Sequence, residues 1–258
     1  GRPVRSNEDL TAAIQAAGGA PLTVVYRRSG ARHTATLTPT VDENGHYKAG
    51  VWVRDSGAGI GTMSFVDPQR GTFAGLGHSI SDADTGADLT LLSGEIVPVT
   101  ITGCIRGAAG SPGELRGEFA AAPAGTVLAN DAAGVYGSYT GSCTAPALPV
   151  ANLQEVTPGE AELWTTVLGT AAQPYTIQVE RVTMTGSDPN RNLLIRVTDK
   201  RLLDATGGVV QGMSGSPIVQ NGRLAAVLTH VLVNDPSRGY AIFATTMLEK
   251  ADAVASSK

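Results

Sequence analysis

Ser214 lies in the run GMSGSP, with Gly212 two positions before it and Gly215 directly after it. A serine hydroxyl is a weak nucleophile until a base within hydrogen-bond reach takes its proton. The tetrahedral product of its attack then needs N–H donors for the oxyanion. Lacking a Cβ, the backbone at Gly212 can turn its N–H inward beside that of Ser214, and two such donors form an oxyanion hole. Gly215 lets a substrate backbone come close. The plainer reading is a glycine turn that happens to carry a serine.

Two histidines compete as the base. His78 sits in GLGHSI, 214 − 78 = 136 positions before the serine and at the end of an early strand. A histidine on a turn that only bonds its own backbone is the plainer alternative. His230 lies in RLAAVLTHVLV, in the strand after the serine. Between SPIVQ and that strand stands Asn221-Gly222, the strongest short hairpin signal, because both turn positions need φ > 0. Centring the hairpin there pairs Gln220 with Arg223 and sets Ser214 opposite Thr229. Alternation then turns His230 to the other face, and a one-residue bulge would reverse this. His230 also reads as an ordinary core histidine. Among the acids, Asp199 opens DKRLLDATGG, which reads as a two-turn helix with Asp199 as N-cap and Gly207 just past the end. Asp82 and Asp84, close after His78, are outside candidates.

Two other motifs fall short. GAGIGT, residues 57–62, would need glycine at Thr62 for the G-x-G-x-x-G phosphate pattern, and no helix pattern follows it. Glycines that admit close strand crossing explain it better. GMSGS misses the last glycine of the G-x-S-x-G elbow, and no acid stands between Ser214 and His230.

The elements that must carry these residues are mostly strands. SNEDLTAAIQAAGG has a polar cap, acids in its first turn and a Gly-Gly stop, so a short helix is expected; PLTVVYRRSG and ARHTATLTPT follow as a hairpin. GIGTMSFVD, GTFAGLGH, GEIVPVTITG, GELRGEFA and GTVLAND make one group of short strands. ELWTTVLG, PYTIQVERVTM, RNLLIRVTD, SPIVQ, RLAAVLTHVLV and GYAIFA make a second, ALPVANLQEVTPGE crosses between them, and TTMLEKADAVASS closes the chain as a helix. The expectation is an all-β fold of two sandwiches or barrels, with residues 46–155 carrying His78, residues 156–258 carrying Ser214, and 1–45 standing apart.

Composition narrows the partners. The 258 residues are 42% hydrophobic, with 32 glycines and 14 prolines, and the net charge is −4 without any Lys/Arg run, which argues against nucleic acid. No stretch approaches a membrane span, and GRPVRSNEDL holds no signal-peptide core, so an anchor or export segment is expected to be absent from this chain. Cys104 and Cys143, with four histidines lacking ligand spacing, make no metal site; the cysteines read equally as one disulfide or as two free thiols.

GLGHSISD, VTDKRLLDATGGVVQGMSGSPIVQNG and LTHVLVNDPSRGYAIF together resemble the SpoIVB peptidase family, sporulation serine peptidases of the chymotrypsin-like clan. The resemblance runs from roughly residue 50 to 248, and residues 1–40 resemble the second half of the PDZ domain that this family carries ahead of its peptidase domain. It implies a two-barrel chymotrypsin-like serine endopeptidase with a cleft between the barrels. His78 becomes the general base, Ser214 the nucleophile and Asp199, 214 − 199 = 15 positions earlier, the orienting acid. Gly212 and Ser214 supply the oxyanion hole. Thr229, His230 and Val231 become the wall of the substrate pocket, and Gly208, six positions before the serine, its base. No metal or cofactor is implied. The implied substrate is an extended protein segment, in this family the extracytoplasmic part of a membrane-bound regulator, cut in the space between forespore and mother cell, with self-cleavage typical. The contrasting expectation is a silent peptidase-like module that docks such a regulator without cutting it.

Overall fold

A computed structural model of the chain describes residues 1–53, 55–82, 84–186 and 188–256. The chain divides into two compact units, Gly1–Ala58 and Gly59–Lys258. In the first unit, helix α1 (Asn7–Ala17) starts where expected, because the Ser6 side chain accepts the Asp9 N–H at 3.3 Å. It stops at Gly18, which takes the left-handed conformation (φ 56°). Strands β1 (Leu22–Arg28) and β2 (Ala31–Leu37) pair through the Ser29-Gly30 turn, and the short strands β3 (Thr40–Val41) and β4 (Tyr47–Lys48) follow.

The second unit holds the two strand groups. Strands β5 (Met63–Asp67), β6 (Thr72–Gly75), β7 (Glu95–Ile96), β10 (Gly125–Asp131) and β11 (Gly134–Tyr139) form a five-stranded sheet in the order β5-β6-β11-β10-β7. It stays open where a barrel was expected. Strands β8 (Val99–Ile105) and β9 (Glu114–Phe119), which could have closed it, pair with each other instead. They reach the other strand group through a bridge from Ile101 to Gly169 and one from Glu114 to Gln211. Burial explains the choice: Ile101 and Leu115 sit in the core of the second group. Strand β11, GVYGSY, carries no strong strand signal because of its glycines. A Cβ at Gly137 would meet the Thr126 carbonyl oxygen at 2.0 Å, so the pairing with β10 needs that glycine.

Strands β12 (Gly159–Thr165), β13 (Gln173–Val182), β14 (Leu193–Val197), β15 (Pro217–Gln220), β16 (Arg223–Leu232) and β17 (Asp235–Phe243) close a barrel in the order β12-β13-β14-β17-β16-β15. Closure leaves no strand edge unpaired, and alternate side chains fill the interior: Leu163, Ile177, Ile195, Ile218 and Leu228 are fully buried. Helix α2 (Lys200–Thr206) lies between β14 and β15, and helix α3 (Ala244–Ser256) ends the described chain; its expected last residue, Ser257, is outside the described residues. A second cluster joins Ala74 and Tyr136 of the open sheet to Val227 and Ile242 of the barrel and Met247 of α3. This apolar seam fixes the two strand groups against each other. Both cysteines are free thiols. No helix among the described residues is long and apolar enough to cross a membrane.

Candidate active site

Two backbone devices carry His78 from the open sheet to the barrel. Leu76 and Gly77, just before it, both have positive φ (68° and 71°), and the Leu76 value is costly for a side-chain-bearing residue. Gly77 then lies so close to the barrel that a Cβ there would meet Thr229 Cγ2 at 2.8 Å and Ile242 Cγ2 at 3.1 Å. The turn therefore delivers the imidazole directly onto β16. There it packs on His230, ring centroids 4.9 Å apart and planes 34° apart.

That contact corrects the hairpin count. The Asn221-Gly222 turn forms as expected, with φ 52° and 73°, and Gln220 pairs with Arg223. A one-residue bulge follows: Val219 pairs with Leu224, but Ile218 pairs with Ala226. The extra residue reverses the alternation, and a second irregularity against β17 falls between Leu228 and His230. His230 therefore faces His78 and does not turn away. Burial lowers its pKa to about 4, with the neighbouring His78 and Arg191 adding to the effect and Asp188 opposing it. At neutral pH it is an uncharged ring, and among the described residues its buried Nδ1 has no hydrogen-bond partner.

The serine loop is tied down from one side by Thr62. Its N–H donates to the Ser214 carbonyl at 2.8 Å, and its hydroxyl donates to the Gly212 carbonyl at 3.1 Å. Gly215 makes the approach possible, since a Cβ there would stand 1.9 Å from the Thr62 oxygen. From Gln211 to Ser216 the loop's N–H groups fall into two sets. Those of Gln211, Met213, Gly215 and Ser216 donate to Gly113, Val210, Leu228 and Met213. Among the described residues, those of Gly212 and Ser214 donate to no protein acceptor. Two neighbouring unspent donors, with both carbonyls held back by Thr62, are what an oxyanion needs. Thr62 was legible in the sequence only as the residue that spoils a phosphate motif.

The Ser214 hydroxyl donates to the Thr229 carbonyl at 2.7 Å. The His78 Nδ1 lies 2.7 Å from the Ser79 carbonyl oxygen. A carbonyl can only accept, so in the neutral ring Nδ1 carries the hydrogen and Nε2 the lone pair, the tautomer a general base requires. Ser214 Oγ and the His78 ring thus contact neighbouring residues of β16, Thr229 and His230.

Asp199 lies at the start of α2. It caps α2, as its local sequence suggested, accepting the Arg201 N–H at 2.8 Å, and Gly207 ends that helix in the left-handed region. Its carboxylate also takes the Arg201 guanidinium at 2.7 Å and the Thr176 N–H at 3.3 Å. The Arg201 side chain, with those backbone bonds, lowers its pKa to about 2. Among the described residues, the hydrogen bonds to the Asp199 carboxylate come from Arg201 and Thr176. Of the expected pocket residues, Thr229 and His230 reach the site. Val231 packs against the barrel core. Gly208 is buried beneath Pro236, where a Cβ would meet the Pro236 oxygen at 2.2 Å.

The sequence profile of the SpoIVB peptidase S55 family matches residues 45–248. The chain belongs to that family. It is a serine peptidase by family, and such an enzyme acts on protein or peptide. The peptidase is also similar to solved proteases at low identity. One is the Rv3671c protease from M. tuberculosis in its active form, 16% identical over 62% of this chain and 79% of that one, with a TM-score of 0.38. Another is the inactive form of that protease, 15% identical over 55% and 72%, TM-score 0.37. A third is the HtrA-type protease AlgW with decapeptide, 13% identical over 76% and 62%, TM-score 0.38. No curated protein sequence matches the peptidase. Its family membership rests on the sequence match.

Proposed function

We propose that this peptidase cuts an extended protein segment through an acyl-enzyme, with Ser214 as nucleophile and His78 as general base. The observation that carries the reading is the pair of N–H groups at Gly212 and Ser214, which among the described residues donate to no protein acceptor while those of Gln211, Met213 and Gly215 beside them do. Rotation about the Ser214 Cα–Cβ bond releases the hydroxyl from the Thr229 carbonyl toward His78 Nε2. His78 takes that proton as Oγ bonds the substrate carbonyl carbon, and the carbonyl electrons move onto the oxygen facing the two N–H groups. The protonated His78 then gives its proton to the leaving amine as the C–N bond breaks. Water, deprotonated by the same ring, releases the acid.

The family resemblance supports a narrower reading. The substrate is the extracytoplasmic part of a membrane-bound regulator of spore formation, and the chain cuts itself as well. It works between forespore and mother cell, and residues 1–45 are the C-terminal part of a PDZ-like domain. A second reading is a silent binding module, and the Ser214 hydrogen bond to the Thr229 carbonyl favours it, since that bond occupies the would-be nucleophile. A fluorophosphonate probe separates them. Labelling of the folded chain that is lost in both Ser214→Ala and His78→Ala supports the enzyme. A folded chain that takes no label supports the module.

A further inference from the structure

His78 and His230 come from different strand groups, and the backbone fixes where they meet. Gly77, the residue before His78, lies against Thr229, the residue before His230, so closely that a Cβ on Gly77 would meet Thr229 Cγ2 at 2.8 Å. Thr229 is itself buried, and its hydroxyl, shared between the carbonyls of Asn190 at 2.7 Å and Tyr240 at 3.0 Å, pins β16 at this point. The two rings that follow stand 4.9 Å apart by their centroids. That is inside the ~6 Å within which a cation is drawn to an aromatic face. The His230 ring makes this contact at a cost. Its Nδ1 is buried, and among the described residues nothing bonds it. An apolar side chain of the same size would fill the space without that penalty. Around the ring stand His78 from the turn after β6, Tyr240 from β17, and Asp188 and Arg191 from the loop between β13 and β14. The two charges of that loop are spent on other partners, Arg191 pairing with Asp188 at 3.0 Å and lying 5.1 Å over the Tyr240 ring. The ring partner of His230 is His78.

We propose that His230 is a positioning residue for the base: its ring face holds the His78 imidazole in place and lies against it while it carries the serine proton. This rests on the reading of His78 and Ser214 as base and nucleophile, and it goes beyond the pocket-wall role that the family resemblance gives His230. The Ser79 carbonyl holds the His78 ring through one atom, Nδ1. One hydrogen bond leaves the ring plane free to swing, and a second ring packed against it removes that freedom. The other effect is electrostatic. As Nε2 takes the serine proton, positive charge spreads over the His78 ring, and the π face of an uncharged neighbour attracts it. A charged neighbour would repel it, so the burial that keeps His230 uncharged at neutral pH suits this task.

The test compares two apolar replacements in the full chain. His230→Phe keeps a ring face, His230→Leu does not, and both remove the unbonded nitrogen. Each chain is first melted to confirm that it folds, and His230→Met replaces the Leu variant if that one does not. Fluorophosphonate labelling is followed against pH, above the His230 transition at about 4. Nitrogen-15 shifts of the His78 ring are followed over the same range and need no turnover. The Leu chain is expected to label about 3–30-fold more slowly than the Phe chain, the range spanned by a cation on an aromatic face. Its half-maximal labelling should also move to lower pH, because the protonated His78 has lost the face that attracts it. If His230 only fills space, the two chains label alike at every pH, and that result overturns the proposal. A folded wild-type chain that takes no label defeats the peptidase reading instead. The His78 ring signals then decide the role of His230: a transition at lower pH in the Leu chain than in the Phe chain supports it, and coincident transitions overturn it.

Discussion

His230 is the residue whose position changes most between sequence and structure, and its chemistry gives a measurable consequence. Its folded pKa, about 4, lies below the ordinary histidine value of 6.5 because burial disfavours the charged ring. The unfolded chain therefore binds a proton that the folded chain refuses. The stabilisation is complete above pH 6.5 and is lost as pH falls through about 4. Denaturant titrations across that window should show a loss of about 1–2 kcal/mol, allowing for the ring's partial contact with water. His230→Gln should flatten the slope; an unchanged slope would mean that His230 is not the group responsible. Thr62 is the second residue with a defined task. Thr62→Val keeps the shape and the N–H but removes the hydroxyl that holds the Gly212 carbonyl at 3.1 Å. We expect a stability loss of about 1 kcal/mol and slower labelling of Ser214. Labelling at the wild-type rate would show that the loop holds its shape without that bond.

At the scale of elements, the site depends on close backbone approach. Gly215→Ala would set a Cβ 1.9 Å from the Thr62 oxygen and 2.7 Å from the Leu76 nitrogen, both main-chain atoms that cannot yield. It should cost about 2–3 kcal/mol and abolish labelling, because the shift that relieves it separates the serine loop from the turn before His78. Helix α2 shows the opposite case, an element whose capping residue matters for stability. Asp199→Ala removes the acceptor of the Arg201 N–H and should cost about 1 kcal/mol in a melting experiment. The Asp199 contribution is present above pH 3.8 and is lost as pH falls through about 2, since the folded carboxyl holds its charge longer than the unfolded one. A melting temperature unaffected by the substitution would show that the cap and the Arg201 pair add nothing.

For the whole molecule, every side chain placed at the site belongs to the unit Gly59–Lys258. The apolar seam of Ala74, Tyr136, Val227, Ile242 and Met247 holds the two strand groups together within that unit. A chain beginning at Gly59 should therefore take the fluorophosphonate label at Ser214 with a rate within a few-fold of the full chain. Loss of labelling in a chain that still melts cooperatively would show that residues 1–58 contribute to the site.

Local signals in the sequence were sufficient for a good deal of this. The glycines around Ser214, the Asn221-Gly222 turn, the Asp199 cap with its Gly207 stop and the α1 cap at Ser6 are short-range features. Their conformations are dictated by residues only a few positions apart, so they read directly. Long-range partnership was decided by packing. The bulge between Ile218 and Val219 turned His230 toward His78, and no residue type at that step announces it. Burial of Ile101 and Leu115 in the barrel core drew β8 and β9 out of the first strand group and left it open. Chain order fixes which groups are available, whereas the balance of buried area across the whole chain fixes which of them meet.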